Sequence, residues 1–314
     1  MAEGVHLPRT SWTLGRKACR LIGYLVMLVP WLTWLPATAL AQTLERIAAT
    51  KTIRIGYLPD QAPFAMLGPD GEPTGYAIDL CNQVVARIGQ SVPGLSTGYT
   101  QLKLADAFAS LAAGQVDLLC GALTITLRRR ESVDFSEPIF VTGASALLRS
   151  DSPQDLRELF LGEHKISPPR SPSLHPFAVS RVGVRKGSST EAALSKAIDA
   201  GKYSAVIVPY GTHAEGLAAL EDRDIDAYFA DRALLIGLLE RSPDSAVLIL
   251  GTRLLTRETY GIALRRGDSD LRLLTDRVLS GFYRTADFGA LLRKYFGPEA
   301  GELEPQIVAQ STIE

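Results

Sequence analysis

Residues 75–89 read Gly75-Tyr76-Ala77-Ile78-Asp79-Leu80-Cys81-Asn82-Gln83-Val84-Val85-Ala86-Arg87-Ile88-Gly89. Ile78, Val84, Val85 and Ile88 recur at helical spacing, so the segment predicts a helix with one apolar face. Gly89 stands where such a helix stops. Upstream, Thr52-Ile53-Arg54-Ile55-Gly56-Tyr57 is β-branched and runs into a loop with Pro59 and Pro63, which predicts a short strand. Residues 68–71, Gly-Pro-Asp-Gly, form a turn between the two. Downstream, residues 102–113 predict a second helix closed by Gly114. Val116-Asp117-Leu118-Leu119-Cys120 then predicts a buried strand running into Gly121. Strands alternating with helices imply βα units and a mostly parallel sheet, an α/β fold.

The same alternation returns near residue 180. Residues 181–184 predict a strand, 187–190 a loop that caps a helix over 191–200, and 204–208 another strand. A helix over 213–221, a strand over 226–230 and a helix over 232–240 complete a second set. Between the sets, Ser167-Pro168-Pro169-Arg170-Ser171-Pro172 marks residues 151–180 as an irregular excursion. Residues 270–296 predict a helix pair broken near Thr285-Ala286-Asp287, and a polar tail follows at 301–314.

Residues 1–41 have the pattern of a secretory signal peptide. Arg9, Arg16, Lys17 and Arg20 precede an apolar run, and Ala39-Leu40-Ala41 is a small-x-small cleavage site. Pro30 and Pro36 interrupt the run, which disfavours a membrane span, although an uncleaved anchor is the competing reading. The whole chain carries 33 Lys+Arg and 34 Asp+Glu. Without the leader's four basic residues and one acidic residue, 29 stand against 33. A mildly acidic exported protein has no electrostatic footprint for nucleic acid.

Cys81 and Cys120 remain after processing. They read either as small buried hydrophobes or as a disulfide, which an oxidising compartment permits. His164 and His175 lie in the Pro-rich stretch without the spacing of a metal site, so no metal or other cofactor is expected.

Three places carry chemistry. Residues 121–130 bring small Gly121 and Ala122, hydroxyls at Thr124 and Thr126, and then Arg128, Arg129 and Arg130. Small residues allow close backbone approach, and an arginine fork grips a carboxylate through two donors. The competing reading is a solvated basic face. Gly187-Ser188-Ser189-Thr190 opens a helix, where free N–H groups attract an anion; an ordinary cap is the plainer use. Asp231 ends a strand, at the sheet edge where α/β folds place ligand groups; it reads equally as a helix N-cap.

Together these segments resemble family 3 of the bacterial extracellular solute-binding proteins. The resemblance spans residues 45–297. It rests on 75–89, Asp60-Gln61-Ala62-Pro63-Phe64, Gly114-Gln115-Val116-Asp117, residues 124–138, 181–184, 226–231 and Tyr295-Phe296-Gly297.

The resemblance implies the type II periplasmic-binding-protein-like fold: two α/β lobes joined by two crossing hinge strands. Residues 43–142 plus 254–300 would form lobe 1, and 143–253 lobe 2. It implies a ligand-binding site in which Arg129 and Thr124 take an amino acid's carboxylate with Ser189. Ala122 meets the amino group through its backbone, and Asp231 receives the ammonium. Gln61, Phe64, Leu104 and Ser188 are expected in the lining.

It further implies a periplasmic monomer that takes a polar or acidic free amino acid to an inner-membrane ABC permease. Two other classes compete: an exported dehydratase acting on cyclic precursors of aromatic amino acids, and a sensor module. Many relatives that take basic or amide side chains have an acid where Leu58 stands, and many place an aromatic where Gln61 stands; the loss of both weakens a claim for a cationic ligand. Arg232 is a candidate for meeting an acidic side chain or for facing solvent.

Overall fold

The computed structural model describes Met1 and residues 43–161, 180–200 and 205–312; the side chain of Asp155 is not described. The expected signal peptide and the Pro-rich part of the excursion lie outside the described residues. From Gln42 onward the chain forms one compact unit.

Two five-stranded sheets carry it. The first runs in the order Ser96–Gln101, Thr52–Tyr57, Leu118–Cys120, Glu258–Arg265, Val133–Thr142. The second runs Ala205–Tyr210, Ser180–Arg185, Ala227–Asp231, Ala144–Arg149, Leu248–Leu250. In each, three strands pair in parallel and two more join antiparallel. The expected mostly parallel sheet is therefore corrected to a mixed one, built twice on the same plan.

Alternation of side chains fixes what each face buries. In the first sheet Leu118 and Cys120 join one core with Ile53, Ile55 and Ile78, while Leu119 joins another with Leu111 and Phe135. The second sheet does the same, with Leu148, Val184 and Phe229 on one face and Leu147, Tyr228 and Ala230 on the other. Helix Tyr76–Gly89 buries Ile78, Val84 and Ile88 of the predicted stripe together with Cys81, while Val85 is only partly buried against the same core.

One open choice is decided and two expectations change. Cys81 and Cys120 are joined by a disulfide. The excursion expected over 151–180 begins with a helix, Gln154–Leu161, whose Leu156 and Phe160 are fully buried in the second sheet's core. The expected polar tail is mostly a helix, Ala300–Val308, which buries Ile307 against the first sheet's core. In both segments a sparse apolar stripe among polar residues reads as loop until its partners are known.

The two sheets are connected twice. Val133–Thr142 passes through Gly143 directly into Ala144–Arg149, and residues 251–257 return from Leu248–Leu250 to Glu258–Arg265. The connections lie side by side: Ala144 donates its N–H to Thr256 Oγ1 at 2.8 Å, and Leu255 donates to Ala144 O at 2.7 Å. A Cβ on Gly143 would sit 2.1 Å from the carbonyl oxygen of Thr256, so only glycine lets the two backbones cross here.

Candidate functional site

A small cavity of about 20 Å³ is lined by Gln61, Leu104, Ala122, Thr124 and Arg129 from the first sheet's side. From the second come Arg185, Ser188, Ser189, Thr190, His213, Phe229, Ala230, Asp231 and Leu234. Eight of the nine residues expected in the lining are there. The ninth, Phe64, is a correction: it is fully buried among Tyr76, Phe140 and Tyr260 and backs the wall without lining it.

The strand Leu118–Cys120 delivers Gly121 to Thr124 at its carboxyl end. Thr126 then caps the short helix Leu127–Arg130 by accepting the N–H of Arg129 at 3.1 Å. That turn points the three arginines in different directions. Arg128 and Arg130 are exposed, while Arg129 turns inward. Its Nη1 donates to the carbonyl of Thr124 at 2.7 Å, and its guanidinium stacks 4.7 Å over Phe108. Burial lowers its pKa, and the negative charges of Glu258 and Asp231 oppose that shift. Arg129 is thus the cation of the triplet available to the cavity.

Gln61 exchanges two hydrogen bonds with Ala122. It accepts the Ala122 N–H at 3.0 Å and donates to its carbonyl at 3.3 Å. The backbone expected to meet an amino group therefore already has a side-chain partner.

The loop at 187–190 divides its labour. Ser188 is the helix N-cap, accepting from Glu191 N at 3.0 Å, which is the plainer of the two uses weighed for it. Ser189 instead turns across the cleft, 3.0 Å from Thr124 Oγ1, and donates to Glu258 Oε2 at 2.9 Å.

Asp231 holds the N-cap position of helix Arg232–Leu239 but makes no capping bond with its side chain. Tyr260 donates its hydroxyl to Oδ2, and Oδ1 has no partner among the described residues. Desolvation, reinforced by Glu258, pushes this carboxyl up to about 7, while the Tyr260 bond and Arg129 pull the other way.

Arg185 and His213 were not picked out from the sequence. Arg185 ends the strand Ser180–Arg185 and lies 2.9 Å from Asp60 Oδ1. His213 opens a helix held by a capping box, in which Thr212 and Glu215 bond each other's backbone. Its Nδ1 lies 2.9 Å from the Tyr228 hydroxyl. Burial, helped by Arg185 and Arg241, lowers the imidazole to about 3, so it is neutral near pH 7. The capping signature was visible, but nothing local distinguishes an arginine at a strand end from a solvated one. Arg232 bonds the carbonyl of Gly251 at 3.1 Å and does not line the cavity.

A cavity of this size has room for little more than a water. Anything larger would have to part the walls and replace contacts such as Thr124–Ser189 and Asp231–Tyr260.

Comparison with known proteins gives a consistent result. The model of the bacterial extracellular solute-binding proteins, family 3, matches residues 53–298. An L-glutamate/L-aspartate-binding protein of Pseudomonas aeruginosa is 26% identical over 265 residues, covering 83% of this chain and 82% of that protein.

Among solved structures, an ABC uptake transporter substrate-binding protein from Streptococcus pneumoniae with bound histidine superposes with a TM-score of 0.67. It is 21% identical, with 82% of this chain and 98% of that one covered. An ancestral amino acid-binding protein, a precursor of cyclohexadienyl dehydratase, gives 0.66 at 22% identity, covering 82% and 100%. These structures share the two-lobed fold.

Proposed function

This chain belongs to the bacterial extracellular solute-binding proteins, family 3, and on that premise we propose that it clamps a free α-amino acid between two lobes and delivers it to an inner-membrane ABC permease. The lobes are residues 43–142 with 254–300, and 143–253. The protein acts in the periplasm, after export, as a monomer without cofactor. Arg129, with Thr124 and Ser189, takes the carboxylate, and Asp231 takes the ammonium. The side chain is polar or acidic, in keeping with a relative that binds glutamate and aspartate.

One observation carries this reading. Arg129 and Thr124 come from the first sheet's side, Ser189 and Asp231 from the second's, and all four line one buried cavity. A zwitterion that bonds both sides favours the closed state, because only that state forms both contacts. Charge-assisted bonds in such a site are the strong kind.

A thermal-shift screen of the twenty amino acids tests it. A ligand at one hundred times its dissociation constant adds about 2.7 kcal/mol of stability. A screen in which no amino acid raises the melting temperature refutes the clamp.

A second reading has one observation in its favour. Asp231, protonated over much of the acid range, has the pKa of a general acid. Dehydration of a cyclic aromatic-amino-acid precursor by purified protein, lost in Asp231→Asn, would support it. A binding protein turns nothing over.

A further inference from the structure

We propose that Arg185 recognises the ligand's side chain and selects an amino acid whose side chain ends in a carboxylate. The proposal rests on the clamp above and names the class of ligand it takes. Arg185 is 4% exposed and lines the same cavity as Arg129 and Asp231. Its Nε and Nη1 are buried without a hydrogen-bond partner among the described residues. Nη2 faces Asp60 at 2.9 Å, yet that Asp60 oxygen makes no aligned hydrogen bond. Burying a guanidinium with its donors unmade is costly, and an acceptor brought by the ligand removes the cost.

Charge matching narrows the acceptor. In the clamp, the ligand's own carboxylate and ammonium are matched by Arg129 and Asp231. Arg185 is the next cation in the wall; Asp60 pairs with its Nη2 and leaves Nε and Nη1 without a hydrogen-bond partner among the described residues. The Asp60 side chain is 17% exposed and its other oxygen accepts from His213 N at 3.4 Å, a long bond. A carboxylate on the ligand would accept charge-assisted bonds from those two free donors inside the cavity.

His213 lines the cavity beside it and is neutral near pH 7. When Tyr228 donates to Nδ1, the other ring nitrogen carries its proton and becomes a further donor. A lysine or arginine side chain would set a cation against Arg185. An apolar side chain would leave its donors unmade, and an amide would supply an acceptor without the charge.

Titration calorimetry on the full mature protein tests this with L-glutamate, L-aspartate, L-glutamine, L-leucine and L-arginine. The expected result is that one acidic amino acid binds at least a hundredfold tighter than the amide. Arg185→Met should cost that ligand a hundredfold or more and change glutamine less than tenfold, with Arg185→Lys recovering part of the loss. Asp60→Asn separates recognition from a structural ion pair. It should leave acidic binding unchanged or tighter, whereas equal losses in Asp60→Asn and Arg185→Met overturn the proposal. Wild-type preference for leucine, arginine or glutamine also overturns it and leaves the clamp standing, even if the Met variant does not fold. Binding of no amino acid defeats both.

Discussion

In the proposed clamp, Asp231 is expected to make ligand binding a proton-release reaction. The residue is 5% exposed, its Oδ1 has no partner among the described residues, and burial pushes its carboxyl up to about 7. An ammonium bound beside it favours the ionised form and draws the pKa down. Below pH 7 the ligand must therefore displace a proton. At pH 5, about two units lower, ionising the carboxyl first costs about 2.7 kcal/mol.

Affinity is thus expected to fall about tenfold per unit from pH 7 to pH 5, and to be flat above pH 7.5. Calorimetry at four pH values, in two buffers of different ionisation heat, measures both the slope and the proton released. Asp231→Asn should lose the slope and bind more weakly at pH 8. Affinity that stays constant from pH 5 to 8 with no proton released would refute the reasoning, as would an unchanged slope in the Asn variant. Stability without ligand has the opposite trend. The folded pKa lies above the unfolded value of about 3.9, so this contribution is fully present below pH 4 and is lost as pH rises to about 7.

Other outcomes follow from the same geometry. Arg129→Ala should abolish amino acid binding, a loss of about 2–5 kcal/mol, with the fold retained by circular dichroism. Arg128→Ala and Arg130→Ala, both at exposed positions, should bind normally by calorimetry. Replacing Cys81 and Cys120 by Ala opens a loop 39 residues long, which loop-closure entropy values at about 4 kcal/mol; chemical denaturation reads it, and an unchanged midpoint contradicts it. Deleting 163–178 should leave binding intact by calorimetry, whereas Phe160→Ala should cost about 3–5 kcal/mol of stability because that ring is fully buried 5.2 Å from Phe229.

Much of this was legible in the chain. The strands Thr52–Tyr57 and Ser180–Arg185 and the helices Tyr76–Gly89 and His213–Glu221 follow from local period and caps, and the structure has them within a residue or two. The long strand Val133–Thr142 was not picked out. Pro138 sits within it, and its partner Glu258–Arg265 shifts register around Gly261, so neither shows clean alternation. At the site, it is the family resemblance that points to Arg129 and Asp231; the local pattern leaves Arg128, Arg129 and Arg130 equivalent. The expectation of a further arginine for an acidic side chain was attached to Arg232, the neighbour in sequence. The cavity instead contains Arg185, 47 residues earlier and one strand over. Parallel pairing of Ala227–Asp231 with Ser180–Arg185 brings the two strand ends together, and no local pattern carries that information.

The three-residue strand Leu118–Cys120 is the middle strand of the first sheet, and it leads directly to the loop that holds Thr124 and Arg129. Any tug on that loop when the cleft opens is borne by a very short splice. The bridge from Cys120 to Cys81 fastens the end of the splice to a fourteen-residue helix. Load is thereby shared with a long beam that is itself seated across the core, and the strand is spared from peeling out of the sheet. Cut the fastener, and wear under repeated opening should appear first at the segment proposed to grip the cargo, well before the sheet as a whole gives way.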